Sequence, residues 1–579
     1  MDFFTTKYEY IIVGGGISGL FLAYKLSNIS DKQILLVEKT GRLGGRIHTY
    51  HNSQHDIRYE TGAARFNINH TKLITLIKEL GLGEKILELS LEATSILRNN
   101  HSDYPYFLKD TKLKLDFNSL INKVINDSNN KSKTYLINIT FFQLCIDVLG
   151  YEGACYLKDI FGYSAEFIKG NAYAMLPIFR DNYLNPSKQQ YYYLKDGLSQ
   201  LVEKLHSYLK SCKNVTIKMD TVIEDINTST THMYYVETVD KQYYYTKNII
   251  LTIPQKSLLG LVGLKEITHL LNGVTPIPLC RIYALYDTCW YKDLIKTTTD
   301  NNIRYFIPID NNDNKSLAMI SYTDSEDASS WNNIYKISRE LLIEHVHENL
   351  MELYPDIKIP KAIYYNLHFW DSGIHLWKPG VNPEKSYDRI MKPFPNKNVY
   401  IGGEAYSYNQ GWIEGALDSC YDILKMLDLG QDYSVSVSVK GDLRTTKKEQ
   451  VDDKVMVGNK DELKSYTIEH LREEMNKKNP RIIVMDFAIL SNRDDLSIDD
   501  NNKYIYDVSG WFDRHPGGRN NLLEGIEANH IYLNNEYKGV SPIYKFLNIS
   551  NHTSDLINII EKYLINDNEY IKRIGILNK

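Results

Sequence analysis

The stretch IIVGGGISGL, residues 11–20, constrains this 579-residue chain more than any other. The apolar run YEYIIV meets a glycine turn, the helix-forming segment GLFLAYKLSN follows, and a second apolar run, QILLVE, closes the unit. Strand, turn, helix and strand in that order predict a βαβ unit on a parallel sheet. Gly14, Gly16 and Gly19 stand at GxGxxG spacing directly after the strand and open the helix. Gly14 permits the tight turn, Gly16 lets backbone approach a pyrophosphate, and Gly19 lets helix and strand pack closely. The helix N-terminus then attracts the phosphate charge. Glu38 ends the second strand, where a carboxylate can accept ribose hydroxyl protons. The unit therefore predicts dinucleotide binding.

The next stretch separates FAD from NAD. Residues 38–50, EKTGRLGGRIHTY, resemble the flavin-containing amine oxidases, a family of monoamine, polyamine and L-amino-acid oxidases and their relatives. In that family a second glycine run, here Gly44-Gly45-Arg46, lies beside the FAD pyrophosphate, with Arg46 the matching arginine. Three further stretches match in order. YETGAARF (59–66) resembles the segment under the isoalloxazine, MDTVIEDI the strand whose valine backbone, here Val222, meets the adenine, and VYIGGEAYSYNQGWIEGAL the closing FAD motif. LTIPQKSL follows MDTVIEDI in the family's order, and the likeness covers roughly residues 8–430. It implies non-covalent FAD held by Gly14, Gly15, Gly16, Ser18, Gly19, Glu38, Lys39, Arg46, Gly62, Ala63, Ala64, Arg65, Val222, Glu404, Gly411, Trp412 and Ile413. Glu404 is expected near the ribityl chain, and the helix N-terminus at 411–416 at the flavin carbonyl edge.

The resemblance also implies a chemistry. Such an oxidase takes a hydride equivalent from the carbon beside a neutral amine of a small-molecule substrate; dioxygen accepts the electrons, giving hydrogen peroxide, and the imine hydrolyses. The candidate catalytic residues are Arg65, Arg281 and Trp412. Arg65 matches the arginine that pairs with the substrate carboxylate in L-amino-acid oxidases, a role its planar fork suits; bracing FAD or a neighbouring acid is the alternative. Gly411-Trp412 matches a Gly-Trp beside the substrate amine, and Trp370, Trp377 and His375 fall near the pocket strand, with Gly373 where a cage tyrosine often stands. Arg281, in PLCRIYALYDTCWY, occupies the place of a lysine thought to assist the oxygen reaction. Arginine stays protonated, so it supplies charge there rather than a proton shuttle.

The texture changes after residue 430. Residues 431–463 are charged and lack helical period, which predicts a linker, and 464–579 resemble cytochrome b5, with YIYDVSGWFDRHPGG as strand, helix and haem turn. His515 is the candidate iron ligand. The family's second histidine falls where this chain has Val540, which has no donor atom for iron. Haem b on His515 alone, haem with Tyr537 or His530 as substitute ligand, and an empty docking module all stay open; His552 lies as far too late as His530 lies too early.

The expected fold class is thus α/β and α+β. A Rossmann-like FAD-binding domain (about 8–67, 191–260 and 396–430) interleaves with a mixed sheet and helical substrate domain (about 68–190 and 261–395), and both form one 1–430 unit ahead of the small α+β cytochrome b5-like domain. Within it, 68–180 reads as mainly helical, and YYYLKDGLSQLVEKL as a helix before strands.

Composition excludes other classes. The net charge of −5 gives no basic field for nucleic acid, six scattered cysteines form neither a zinc site nor a disulfide framework, and no long apolar run spans a membrane. The first strand begins at once, leaving no room for a signal peptide, so a cytoplasmic location is expected. The 45 tyrosines are read as codon bias. The reading is an FAD-dependent amine or amino-acid oxidase. The alternatives are a flavocytochrome passing electrons to the C-terminal haem or another electron-transfer partner, a decayed flavoprotein scaffold, and a desaturase or protoporphyrinogen-type oxidase.

Overall fold

Apolar runs with β-branched residues set the centre of the molecule. A computed structural model describes residues 7–427 except 91, 99–105, 184–189, 229–232 and 311–314, together with four strands between 464 and 577. The chain divides into two compact units, Met1–Ser438 and Val439–Lys579.

In the first unit the expected βαβ is strand Lys7–Val13, helix Ile17–Ile29 and strand Ile34–Val37. Alternation sends Tyr10, Ile12, Ile34 and Leu36 into the core on one face of the sheet, and Ile11, Val13, Leu35 and Val37 into the core on the other. Two covered faces explain why these strands read as continuous apolar runs. The sheet has seven strands, in the order Ile223–Asn227, Tyr234–Thr238, Tyr243–Leu251, Lys7–Val13, Ile34–Val37, Val215–Lys218, with Val399–Ile401 also beside Tyr243–Leu251. Helix Ile17–Ile29 packs against Ser199–Ser211 and Ile413–Met426, so widely separated stretches build one layer.

A second sheet has six strands, ordered Tyr364–Trp377, Val274–Tyr286, Ser316–Asp324, Tyr305–Pro308, Lys296–Thr299, Ala93–Ile96. Helices between Phe117 and Tyr183 form a third body around Leu120, Val124, Phe141, Leu144, Phe167 and Phe179.

Two local readings are corrected. Residues 68–180 are mainly helical as expected but also hold two strands, Ile86–Leu89 and Ala93–Ile96. Helix Thr71–Glu79 stops because Gly81 takes φ of +73°, a left-handed conformation that favours glycine. The ILEL run that follows then pairs with Tyr191–Leu194. YYYL is accordingly a strand, and the helix begins only at Ser199. Among the described residues no helix is long and apolar enough to cross a membrane.

The second unit shows a four-stranded sheet, ordered Lys464–Tyr466, Lys572–Leu577, Lys503–Asp507, Ile482–Asp486. Tyr466, the first residue of the YTIEHL segment read as a helix, ends the strand Lys464–Tyr466; the rest of that segment, the His515 turn, and His530, Tyr537, Val540 and His552 lie outside the described residues.

Candidate active site

Two glycine runs that are separate in sequence touch in space. Gly44 donates its N–H to the carbonyl of Gly15 at 2.8 Å, and Gly16 and Gly44 form a parallel bridge. Gly14 turns at φ +111° against Thr252, whose hydroxyl donates to the carbonyls of Val13 and Gly14 at 3.0 Å each. A Cβ on Gly19 would sit 1.9 Å from the Gly14 carbonyl oxygen, whereas one on Gly16 would meet nothing within 4 Å. Gly19 thus lets helix and turn touch, and Gly16 opens backbone to the cavity. Helix Ile17–Ile29 has no side-chain cap and no acidic residue in its first turn, which leaves its N-terminal dipole for an anion.

That cradle is one end of a cavity of about 1610 Å³, more than a single small ligand needs. Gly14, Gly16, Ser18, Glu38, Lys39, Arg46, Gly62, Ala63, Ala64, Arg65, Val222, Arg281, Glu404, Gly411, Trp412 and Ile413 all line it. Gly15 and Gly19 stand behind the wall instead. A Cβ on Gly15 would lie 2.6 Å from Leu43, and its N–H goes to Glu38 at 2.8 Å.

Sequence reasoning passed over Arg42. Its guanidinium donates to the carbonyls of Leu43, Gly45 and Ile47 at 3.0, 2.6 and 3.0 Å and braces the second glycine run from below. The only signal was an arginine between two glycines in GRLGG.

Glu404 ties the cradle to the far wall. It accepts from Arg46, lies 2.6 Å from Nδ1 of His375, and takes the Gly411 N–H at 3.0 Å. Burial opposes its ionisation, but Arg46 and His375 hold the carboxyl well below the usual range. His375 and Trp377 are fully buried behind the pocket strand and do not line it; Trp370, Gly373 and Ile374 do. At Gly373 a Cβ would meet the Leu279 side chain at 2.4 Å, so the place where a cage tyrosine often stands is closed by Leu279.

The segment 59–66 is clamped by two neighbouring strands of the six-stranded sheet, Val274–Tyr286 and Tyr364–Trp377. Arg281 and Tyr283 donate to the Glu60 carbonyl at 2.9 and 2.6 Å, and Trp370 donates to the Thr61 carbonyl at 2.7 Å. A Cβ on Gly62 would lie 2.0 Å from the Arg46 carbonyl oxygen, so this segment presses on the second glycine run.

Helix Ile413–Met426 opens with Trp412 at its N-cap. Its first-turn acid, Glu414, turns away from the cavity. The carboxylate accepts the N–H groups of Lys72 and Leu73 at 2.9 Å each and so caps the neighbouring helix. Trp412 packs on His70, ring centres 4.7 Å apart, and on Tyr191 at 6.3 Å. The Arg65 guanidinium lies 5.4 Å over the same Tyr191 ring, so the fold brings the two candidates to one place.

Acids that no motif announced complete this inner end. Asp324 and Glu166 both line the cavity. Asp324 accepts from the Ala165 N–H at 2.8 Å and the Ser164 hydroxyl at 2.8 Å, while Oε2 of Glu166 is buried without a hydrogen-bond partner. Burial raises both carboxyls; Arg65 pulls Glu166 back toward ionisation. The inner end thus holds two arginines, Arg65 and Arg281, and two acids beneath aromatic and aliphatic walls.

The sequence profile of the flavin containing amine oxidoreductase family matches residues 17–421. Achacin of Lissachatina fulica is 22% identical over 503 residues, covering 72% of this chain and 92% of that protein. An L-amino-acid oxidase of Demansia vestigiata is 25% identical over 143 residues, 22% of this chain and 28% of that protein. Putrescine oxidase with bound putrescine superposes with a TM-score of 0.58 at 14% identity, covering 73% of this chain and 99% of that one. At that identity the likeness establishes the fold, a mixed α/β architecture shared with amine oxidase structures.

Proposed function

The chain belongs to the flavin containing amine oxidoreductase family, and from that premise we propose that it oxidises the C–N bond of a primary amine, polyamine or L-amino acid to the imine. Dioxygen is the acceptor in this reading, and hydrogen peroxide the product. The protein is an oxidoreductase, and its cofactor is FAD. Bound FAD supplies two-electron acceptance; the rest of the task falls to the chain.

The observation that supports this reading best is the continuity of the cavity. One space joins the glycine cradle, with Glu38, to an inner end with Arg65, Arg281 and Trp412. The cradle residues fit a pyrophosphate, since Gly16 leaves its backbone open and the helix behind it is uncapped. At the inner end Trp370, Trp412, Ile374 and Leu376 exclude water, which disfavours an ammonium and favours the neutral amine that gives up hydride.

Within the substrate range, the inner end supports a molecule bearing a carboxylate beside its amine. Arg65 offers a planar fork for the carboxylate, and Glu166 and Asp324 place hydrogen-bonding carboxyls nearby. The relative from Demansia vestigiata, an L-amino-acid oxidase by name, agrees in class.

The test is an anaerobic absorption spectrum of the full-length holoprotein with pooled L-amino acids and, separately, pooled amines. Bleaching of the flavin bands by amino acids is expected. Bleaching by amines alone keeps C–N oxidation but removes the carboxylate preference, and no bleaching with either pool defeats the reading.

A further inference from the structure

A file of aromatic side chains leads from the cavity toward the edge of the molecule, and the oxidation of an amine does not use it. Tyr283 lines the cavity and stacks on Tyr59, ring centres 3.8 Å apart and planes 19° from parallel. The Tyr50 ring lies 5.1 Å from that of Tyr59, and the Tyr50 hydroxyl 3.0 Å from the Tyr364 hydroxyl. Burial falls along the file: Tyr283 and Tyr59 are 2% and 5% exposed, while Tyr50 and Tyr364 are half-buried.

What sets Tyr59 apart is its proton. Asn366 donates to the Tyr59 hydroxyl at 2.9 Å, so the phenol's own hydrogen is directed at its other neighbour, Nε2 of His368, at 3.2 Å. Burial, with His48 and Arg281 nearby, holds His368 down to about 4, so its ring is neutral at pH 7 and has a lone pair to offer. Tyr283 has no such base. It donates to the Glu60 carbonyl, which cannot keep a proton.

We propose that Tyr59, paired with His368, is a one-electron relay through which oxidising equivalents leave the cavity wall for Tyr50 and Tyr364. One electron passes from Tyr59 to a one-electron oxidant of the reduced-oxygen class in the cavity, and the phenolic proton crosses to Nε2 of His368. Tyr50 then returns an electron to Tyr59, the proton comes back from His368, and Tyr50 releases its own proton to water at the half-exposed edge. A low-molecular-weight thiol restores Tyr50 by giving up an electron, with a proton from water or the thiol, and leaves as its radical. In sum the thiol is oxidised, the cavity oxidant is reduced, and the protein is unchanged.

The inference rests on FAD lying in this cavity, and a flavin spectrum of every sample separates a lost relay from a lost cofactor. Full-length holoprotein is illuminated with blue light in the flavin bands, without amine or oxygen, then frozen and read by electron paramagnetic resonance. Light absorbed by the bound FAD provides a one-electron oxidant in the cavity. The wild type is expected to give a tyrosyl signal, Tyr59→Phe and His368→Phe to lose most of it with flavin bands intact, and Tyr50→Phe to lengthen its lifetime. No signal in the wild type, or an undiminished one in His368→Phe, overturns the relay. If Tyr59→Phe does not retain flavin, His368→Phe decides alone.

Discussion

Nδ1 of His375 lies 2.6 Å from Oε1 of Glu404, the same carboxylate oxygen that receives the Arg46 guanidinium from 358 residues away in sequence. The other oxygen takes the Gly411 N–H. Three remote parts of the chain therefore meet on one anion: the second glycine run, the pocket strand and the turn before helix Ile413–Met426.

Glu404→Gln keeps the shape and removes the charge that fixes Arg46 beside the cradle. Breaking a buried ion pair costs about 3–5 kcal/mol, and the partial exposure of Arg46 discounts that figure. A loss of even about 1.4 kcal/mol weakens binding ten-fold, so the FAD dissociation constant should rise by at least that factor. Recovery of flavin fluorescence on dilution measures it; an unchanged constant removes Glu404 from cofactor binding.

Gly16→Ala and Gly19→Ala should fail differently. A methyl on Gly16 projects into open cavity, so the apoprotein should melt near the wild-type temperature while FAD no longer seats. A methyl on Gly19 lies 1.9 Å from a carbonyl oxygen, so the helix must shift and the apoprotein itself should lose stability. Thermal melts of both apoproteins, with FAD titrations, separate the two.

Arg65→Gln tests the carboxylate role. A hydrogen bond to a charged group contributes about 1.5–3 kcal/mol, so kcat/KM for an L-amino acid should fall roughly 10- to 150-fold. An amine without a carboxylate should react as before. An equal loss with both substrates would place Arg65 in bracing FAD or a neighbouring acid.

His70 should make the fold acid-sensitive. Its Nδ1 accepts the Asn67 N–H at 3.2 Å, which fixes the neutral ring, and burial pushes its pKa down from 6.5 to about 4. The unfolded chain therefore binds a proton first, and stability falls as pH drops from 6.5 toward 4. Between pH 7 and pH 5 this one group accounts for about 2 kcal/mol. Melting temperatures across that range should decline less steeply in His70→Gln than in the wild type; parallel slopes would assign the acid sensitivity elsewhere.

The glycine turn was legible because its geometry is local. A turn at a positive φ, a close approach of helix to turn and the start of a helix all fall within Gly14–Gly19, so spacing alone reveals them. The βαβ unit was readable for a similar reason, since strand period and helix period show in any short window. The ILEL segment falls in a stretch read as mainly helical because nothing within it distinguishes a short strand from a helix turn. Its partner, Tyr191–Leu194, decides the matter, and that strand comes more than a hundred residues later.

The inner end was settled by packing. Glu166 comes from a four-residue helix, Asp324 from the end of a strand, and Arg281 from the strand beside it; no motif links them. His375 shows the same limit from the other side: a residue on the pocket strand turns out to serve Glu404 behind the wall. Interactions closed within one turn or one strand leave a spacing that can be read. Those closed between strands from distant parts of the chain depend on which face each residue presents and which neighbour fills the space opposite, and the sheets must assemble before either is decided.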